Sequence, residues 1–335
     1  MLKLSFILPC YNVAPYLGRC IESIEHQDIP QSEYEVICVD DCSKDNTVEV
    51  IKEYQAKYPN IQLICHEVNK TAGGARNTGM DAAKGEYLWF VDPDDSIEAN
   101  VLETLIAKSE KYELDILLFN YILTEERGVI HHSKVHKTHD IVFTGVEYTL
   151  TQCAPRYLYD MAAHTCCLYN RAFLEKHHIR YPKIRSSQDV VFVWKAELLA
   201  QKVGAVEDAC YHIIRRAEST TGSKGKLYVE AVISASLLYV HEIDKLRELN
   251  TEAILESILL KEMKSSVNDD SRKVLRTTFH EQLLFYKAIC KYGKLCDKYR
   301  SLMDRKSKVI FNYHLPYVLW QAMIWGYMIV EKSKV

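Results

Sequence analysis

The chain has 335 residues, a net charge of −3 and 48% hydrophobic residues, enough for a packed core in one large or two small domains. That composition excludes a disordered protein, and the lack of a basic surplus argues against a nucleic-acid binder. The 11 cysteines are odd in number, with no Cys-x-x-Cys pair and no zinc spacing, and they predict a reducing, cytoplasmic setting. The apolar run at 4–8 ends at Pro9, too early for a signal peptide, and no window reaches the roughly 20 apolar residues of a membrane span.

The first 120 residues alternate between two periods. Residues 4–8 form a short apolar run, which predicts a buried strand. Tyr16, Leu17, Cys20, Ile21 and Ile24 then share one helical face. Residues 36–39 predict a second strand. Asp45 follows as a helix cap ahead of Val48, Ile51 and Tyr54 at helical spacing. A third strand at 61–65, a small-residue helix at 72–83, a fourth strand at 87–91 and a fifth at 116–119 continue the series. This alternation predicts an α/β fold with a mostly parallel central sheet covered on both faces. Residues 124–140 are polar, carry His131, His132, His136 and His139, and read as an exposed excursion. Helices follow at 171–177 and 188–199, and short strands at 204–206 and 210–214. From residue 227 the pattern is almost wholly helical. The boundaries expected are an α/β domain over 1–220 and a helical C-terminal region over 221–335.

In an open α/β sheet, ligands bind beyond the carboxyl ends of the strands. Here these ends are Pro9-Cys10-Tyr11-Asn12, Asp40-Asp41-Cys42-Ser43, Asn69 with Gly73-Gly74-Ala75-Arg76-Asn77, and Asp92-Pro93-Asp94-Asp95. Parallel neighbours would bring all four to one crevice. Carboxylates gathered there repel one another. A divalent cation, Mn2+ or Mg2+, relieves that repulsion through one or two carboxylates and the oxygens of a phosphate ligand. Arg76 adds a cation for phosphate, and the glycines permit close backbone approach. Taken singly, a D-x-D is also a solvated turn, Asp40, Asp41 and Ser43 also suit helix capping, and a Gly-Gly pair also suits a turn. Neither a P-loop nor a G-x-G-x-x-G is present. The weight comes from four polar ends in order.

Those four segments, with Ser5-Phe6-Ile7-Leu8 before the first, resemble the family 2 glycosyltransferases, over roughly residues 1–220. The resemblance implies a GT-A fold and an inverting enzyme that takes a nucleotide-sugar donor. By position it makes Pro9, Tyr11 and Asn12 nucleotide contacts, with Tyr11 stacking on uracil. It makes Asp40 and Asp41 the pair that accepts the base N–H, and Asn69 and Arg76 further nucleotide and phosphate contacts. Asp94 becomes the metal ligand and Asp92 a ribose or metal contact, while Asp95 receives no role. Ser187-Gln188-Asp189-Val190-Val191-Phe192 resembles the segment that holds the catalytic base, which assigns Asp189. Gln188 stands there in place of the usual Glu. Residues 211–215 and 219–221 resemble, more loosely, a strand and basic loop closing over the diphosphate. Two departures stand out: Cys42 occupies a position where glycine is common, and the segment from His164 to Tyr169 lacks the usual Trp and Lys.

The function implied is transfer of a sugar from a nucleotide diphosphate, a UDP-sugar by resemblance, to a hydroxyl of a glycan or lipid-linked acceptor in cell-surface polysaccharide synthesis. A metal-dependent nucleotidyl- or phosphoryl-transferring enzyme and a non-catalytic sugar-nucleotide binder stay open, though neither explains Asp189. Residues 291–335 hold nine Lys or Arg against three acids, beside Tyr313, Tyr317, Trp320, Trp325 and Tyr327. That pattern suits peripheral membrane contact through 309–335, at the inner face of the cell membrane, and equally a helix packed on the catalytic domain or in a homo-oligomer.

Overall fold

A computed structural model describes residues 2–125, 128–133, 136–138, 140–145, 147, 148, 164–183 and 188–214, with positions 286, 290, 314, 316, 317, 319 and 320. The chain divides into two compact units, one of Met1–Lys183 with Gln188–Ser219 and one of Ile184–Ser187 with Thr220–Val335. In the second, the Tyr286 ring lies 5.2 Å from that of Tyr317 and 5.5 Å from that of Trp320. The helical region expected from 221 and the membrane-contact segment 309–335 otherwise fall outside the described residues. So do His139, Arg215 and residues 184–187 and 219–221. No described helix is long and apolar enough to cross a membrane.

The first unit begins with β1 (Leu4–Cys10), α1 (Ala14–Glu25), β2 (Tyr34–Asp40), α2 (Thr47–Lys57), β3 (Ile61–Cys65), α3 (Thr71–Ala82) and β4 (Tyr87–Phe90). Every residue of β1, β2 and β4 is buried, which is why these strands read as continuous apolar runs. Phe6 and Leu8 enter one core layer with Leu17, Ile21, Val36 and Trp89, while Ile7 enters the opposite layer with Ile37, Val39 and Phe90. The four strands are parallel in the order β3-β2-β1-β4; Cys10 pairs with Asp40 and Asp40 with Cys65, so β1, β2 and β3 end level, while β4 ends at Phe90, opposite Ile7. Helix α3 lies so close to β1 that a Cβ on Gly79 would collide with Ile7.

Beyond β4 the sheet is mixed. The chain adds β5 (Ser96–Ile97), α4 (Leu102–Tyr112), β6 (Ile116–Glu125), β7 (Gly128–His132), β8 (Cys167–Asn170), α5 (Arg171–Lys176), α6 (Gln188–Leu199) and β9 (Val203–Ile214). The sheet runs β3-β2-β1-β4-β8-β6-β9-β5, with β7 on β6. β8 is antiparallel to both its neighbours, and β6 and β9 are parallel.

Three expectations need correction. Residues 124–140 are exposed at most of their described positions, as expected, but they are not a plain loop: β6 runs on to Glu125 and pairs with β7 as a hairpin, and Ser133 and His136 are buried. Asn120 draws the following segment inward by accepting from His136 N at 3.0 Å and donating to His136 O at 2.9 Å. His136 is buried, its Nδ1 2.8 Å from the Tyr148 hydroxyl. The strands expected at 204–206 and 210–214 are one strand, β9. Its pairing with β6 shifts register on both sides of Asn120, and the exposed Glu207 and Asp208 there break the apolar pattern. Asp45 lies one residue ahead of the helix-capping position. Its carboxylate joins two helix starts, accepting from Ala14 N at 3.1 Å and Thr47 N at 3.1 Å.

Burial pushes the His136 imidazole down to about 4. The unfolded ring takes a proton near pH 6.5 and the folded one only near 4, so stability is lost as pH falls through that window. In urea titrations His136→Gln is expected to reduce the fall in stability between pH 6.5 and 4, by at most about 1.4 kcal/mol per pH unit.

Candidate active site

The carboxyl ends of β1, β2, β3 and β4 deliver the predicted residues to one edge of the sheet. Pro9 is buried within β1, and Tyr11, the next residue past the strand, is 47% exposed. Asn12 adopts a left-handed φ of 52° and is a tie between loops: Lys44 N donates to its Oδ1 at 2.7 Å, and its own N donates to Ser43 Oγ at 3.0 Å. Cys42 also takes a left-handed φ, 68°, the conformation that explains glycine at this position in similar chains.

Asp40 and Asp41 are both buried. Asp40 Oδ2 accepts from Ser43 N at 3.2 Å, and its Oδ1 is buried without a hydrogen bond. Asp41 Oδ1 accepts from Lys70 N at 2.8 Å and meets His66 Nδ1 at 2.7 Å, while the other His66 nitrogen is 2.9 Å from Thr78 Oγ1. Asn69 donates to the Asp41 carbonyl at 3.0 Å and accepts from Thr71 N at 3.2 Å. The predicted Asp40, Asp41 and Asn69 thus form one network, which His66 and Thr78 extend into α3.

On the other side of the crevice, Arg76 reaches from α3 to the end of β4. Its Nη2 lies 2.6 Å from Asp92 Oδ1, and the guanidinium sits 5.2 Å from the centre of the Tyr181 ring. Burial alone would raise the Asp92 carboxyl, but Arg76, aided by His164, outweighs it and holds the group below the usual carboxylate range. The acidic loop is fixed at further points. Arg19 Nη2 donates to the Asp94 carbonyl at 2.6 Å, and Asp92 N donates to the Tyr211 hydroxyl at 3.0 Å. That hydroxyl donates to Asp95 Oδ2 at 2.9 Å, and Ile214 N donates to Asp95 Oδ1 at 2.8 Å. Asp95, without a role in the sequence reading, is therefore the joint between the acidic loop and the end of β9. Burial and the neighbouring Asp92 and Asp94 push its carboxyl well above the usual range.

Asp189 stands in the first turn of α6, its side chain 36% exposed. The buried Gln188 beside it accepts from Gly73 N at 3.1 Å, which latches the start of α6 onto the start of α3. Between the two sides sits His164. Its Nδ1 is 3.9 Å from Asp189 Oδ2 and its Nε2 is 4.0 Å from Asp92 Oδ1, both beyond hydrogen-bond reach. His164 comes from a single 3-10 turn that leads into β8. The Trp89 indole holds that turn by donating to the Thr165 carbonyl at 2.7 Å, a bond worth about 1 kcal/mol. Burial, and then the Arg76 charge, push the His164 imidazole down to about 4 against the pull of Asp92 and Asp189, so the ring is neutral at neutral pH.

Sequence reasoning missed Tyr181, Arg19 and His66 as parts of this site, and no local motif marks them; Tyr211 lies in the segment 211–215 that the resemblance singled out, without a role of its own. Among the described residues no three His, Cys, Asp or Glu side chains converge as a protein-only metal cage requires. Asp92 and Asp94 offer a two-carboxylate set, the number a hard cation takes when phosphates complete its shell.

Residues 5–177 match the family described as glycosyl transferase family 2. The chain belongs to this family. Among family 2 relatives, the poly(ribitol-phosphate) β-N-acetylglucosaminyltransferase TarS of Staphylococcus aureus is 29% identical over 263 residues, covering 77% of this chain and 44% of the relative. The poly(ribitol-phosphate) β-glucosyltransferase of Bacillus spizizenii is 32% identical over 218 residues, covering 64% of this chain and 32% of the relative. The chain thus spans less than half the length of these curated relatives. The crystal structure of S. aureus TarS 1–349 in complex with UDP-GlcNAc superposes with a TM-score of 0.75 at 26% identity, covering 99% of this chain and 91% of that one. The fold is therefore GT-A.

Substitutions at two positions test the family 2 site as built. A left-handed φ costs an ordinary residue roughly 1–2 kcal/mol, of which glycine's extra chain entropy returns part. Cys42→Gly should therefore gain up to about 1 kcal/mol in urea unfolding, and Cys42→Val should lose stability. A Cβ on Gly73 would lie 2.5 Å from Gln188 Oε1 and 3.2 Å from Tyr181 Cβ. Gly73→Ala is expected to part α3 from α6 and to lower turnover by about tenfold or more, since misplacement of catalytic groups by an ångström is enough. Steady-state kinetics measure that loss.

Proposed function

We propose that the chain transfers a sugar, with inversion, from a UDP-sugar to a hydroxyl of a glycan or lipid-linked acceptor in cell-surface polysaccharide synthesis. One observation carries this reading. Asp189 and the Arg76–Asp92 pair flank the same imidazole, His164, whose nitrogens lie 3.9 Å from Asp189 Oδ2 and 4.0 Å from Asp92 Oδ1. Asp189 also suits the first turn of α6, where a carboxylate favours the helix start, but its place beside His164 gives it a second use. A phosphoryl-transferring enzyme or a passive sugar-nucleotide binder has no use for it.

The residues divide the work as follows. Tyr11, Asp40, Asp41 and Asn69 serve the nucleoside end, with Tyr11 exposed for stacking and Asp41 held in orientation by His66 and Lys70 N. Arg76 places positive charge at the diphosphate end. Asp189 takes the proton of the acceptor hydroxyl as it attacks the anomeric carbon from the face opposite the nucleotide. A divalent cation on Asp94 and Asp92 would supply further charge neutralisation at the diphosphate. The rest of the rate enhancement comes from holding donor and acceptor in line, for which the Gln188–Gly73 latch sets the distance between α6 and α3. The two poly(ribitol-phosphate) transferases among the relatives make a polyol-phosphate polymer the first acceptor to test. Cytoplasmic location and peripheral membrane contact through 309–335 belong to the same reading.

Transfer from UDP-GlcNAc and UDP-glucose to poly(ribitol phosphate), followed with and without Mn2+, is the direct assay. Asp189→Asn should lower transfer by about 10²–10⁴, the range of a general base, while UDP affinity by calorimetry stays nearly unchanged. A variant that loses UDP binding instead would move Asp189 to the donor site.

A further inference from the structure

Among the described residues, few polar side-chain atoms are buried without a hydrogen bond, and three of them belong to neighbouring residues: Arg76 Nε, His164 Nε2 and the Tyr181 hydroxyl. Their owners adjoin one another. The Tyr181 ring lies 5.2 Å from the Arg76 guanidinium and 5.8 Å, edge on, from the His164 ring. Native proteins leave few such groups unsatisfied, and a cluster of them beside two carboxylates calls for a partner from outside the chain.

None of the three can turn away to find a partner within the protein. Arg76 is held by its bond to Asp92. His164 is fixed through the turn that Trp89 grips at Thr165. Tyr181 is held at both backbone groups by Asn77, which accepts from Tyr181 N at 2.9 Å and donates to Tyr181 O at 2.9 Å. Its ring stacks flat on Phe192 at 4.1 Å and 2°.

The chemistry of the missing partner follows from what surrounds it. Arg76 Nε can only donate, whereas an imidazole nitrogen and a phenol can donate or accept. An anion here would face both Asp92 and Asp189 within 4.0 Å of the same imidazole. A hydroxyl, which gives and takes, suits all three. The position lies between the diphosphate side at Asp92 and the base at Asp189, which is where the transferred ring must sit.

We propose that His164 and Tyr181 are donor-sugar contacts that hydrogen-bond hydroxyls of the transferred sugar and set which sugar is accepted. The proposal rests on the reading of the crevice as a nucleotide-sugar site. It locates part of the sugar selectivity on a turn, the one before β8, where this chain departs from the pattern of the chains it resembles.

Calorimetry with UDP, UDP-GlcNAc and UDP-glucose on the full chain, its Tyr181→Phe variant and its His164→Ala variant tests it. Tyr181→Phe keeps the stack on Phe192 and removes only the hydroxyl, so it stands even if His164→Ala does not fold. Each variant should keep UDP affinity within about twofold and lose about tenfold for at least one UDP-sugar relative to UDP. The ratio of kcat/KM between the two sugars should shift by a similar factor. Unchanged ratios overturn the proposal, and so does an equal loss for UDP and both UDP-sugars. Failure of the unaltered chain to bind UDP would instead sink the reading of the crevice on which the proposal rests.

Discussion

Arg76 carries a full positive charge at a position only 5% exposed, and the crevice is arranged around that fact. Breaking such a pair by removing its partner costs several kcal/mol, because the remaining charge stays buried and uncompensated. Asp92 is the compensation, and it must be brought to the guanidinium and kept there. Gly79 lets α3 settle against β1, which sets the depth of Arg76. The pairing of Ile7 with Phe90 at the end of β4 sets the height of Asp92. Tyr211 then grips the Asp92 backbone, and Asp95 grips Tyr211. Each contact exists to hold the next in place, and the chain of dependence ends at one ion pair.

The same crowding explains how the charges are disposed. Asp92, Asp94 and Asp95 fall within four consecutive positions, with Asp189 nearby. They could not all be ionised in so little water without strong repulsion. Burial and its two neighbours push the Asp95 carboxyl up, and the bonds from Ile214 N and the Tyr211 hydroxyl pull against them. Asp92 keeps its charge because Arg76 is bonded to it. The imidazole between the two sides is neutral at neutral pH. The carboxylates thus sort into Asp92, bonded to Arg76, Asp95, buried against Tyr211 and Ile214 N, and two, Asp94 and Asp189, with partly exposed side chains.

The parallel half of the fold was legible because β1, β2 and β4 are buried on both faces and give unbroken apolar runs whose ends can be read directly. Those ends correctly mark one edge of the sheet. What they could not mark was β8. It runs antiparallel to its neighbours, so its beginning, not its end, lies at the functional edge, and His164 precedes a strand instead of following one. A search confined to strand ends passes over it. Tyr181 was hidden for a different reason, since it sits outside helix and strand and owes its place to Asn77, 104 residues away. The polar stretch at 124–140 misled because a hairpin with a half-exposed face needs few apolar residues, and one asparagine side chain does the work of drawing its continuation inward. Cys42 was readable as an oddity. Its left-handed backbone supplies the cause.

The acidic loop is tied to α1 by Arg19, to α3 by Arg76 and to β9 by Tyr211 and by Ile214 N. Four attachments to three different elements leave a segment of four residues almost no conformations to lose. A ligand arriving there does not have to order the loop, because folding has already done so. The strength of any complex at this edge therefore tracks the contacts the ligand makes, without a deduction for quieting the protein. A surface of that kind measures small differences between similar ligands more faithfully than a loop that must first be stilled.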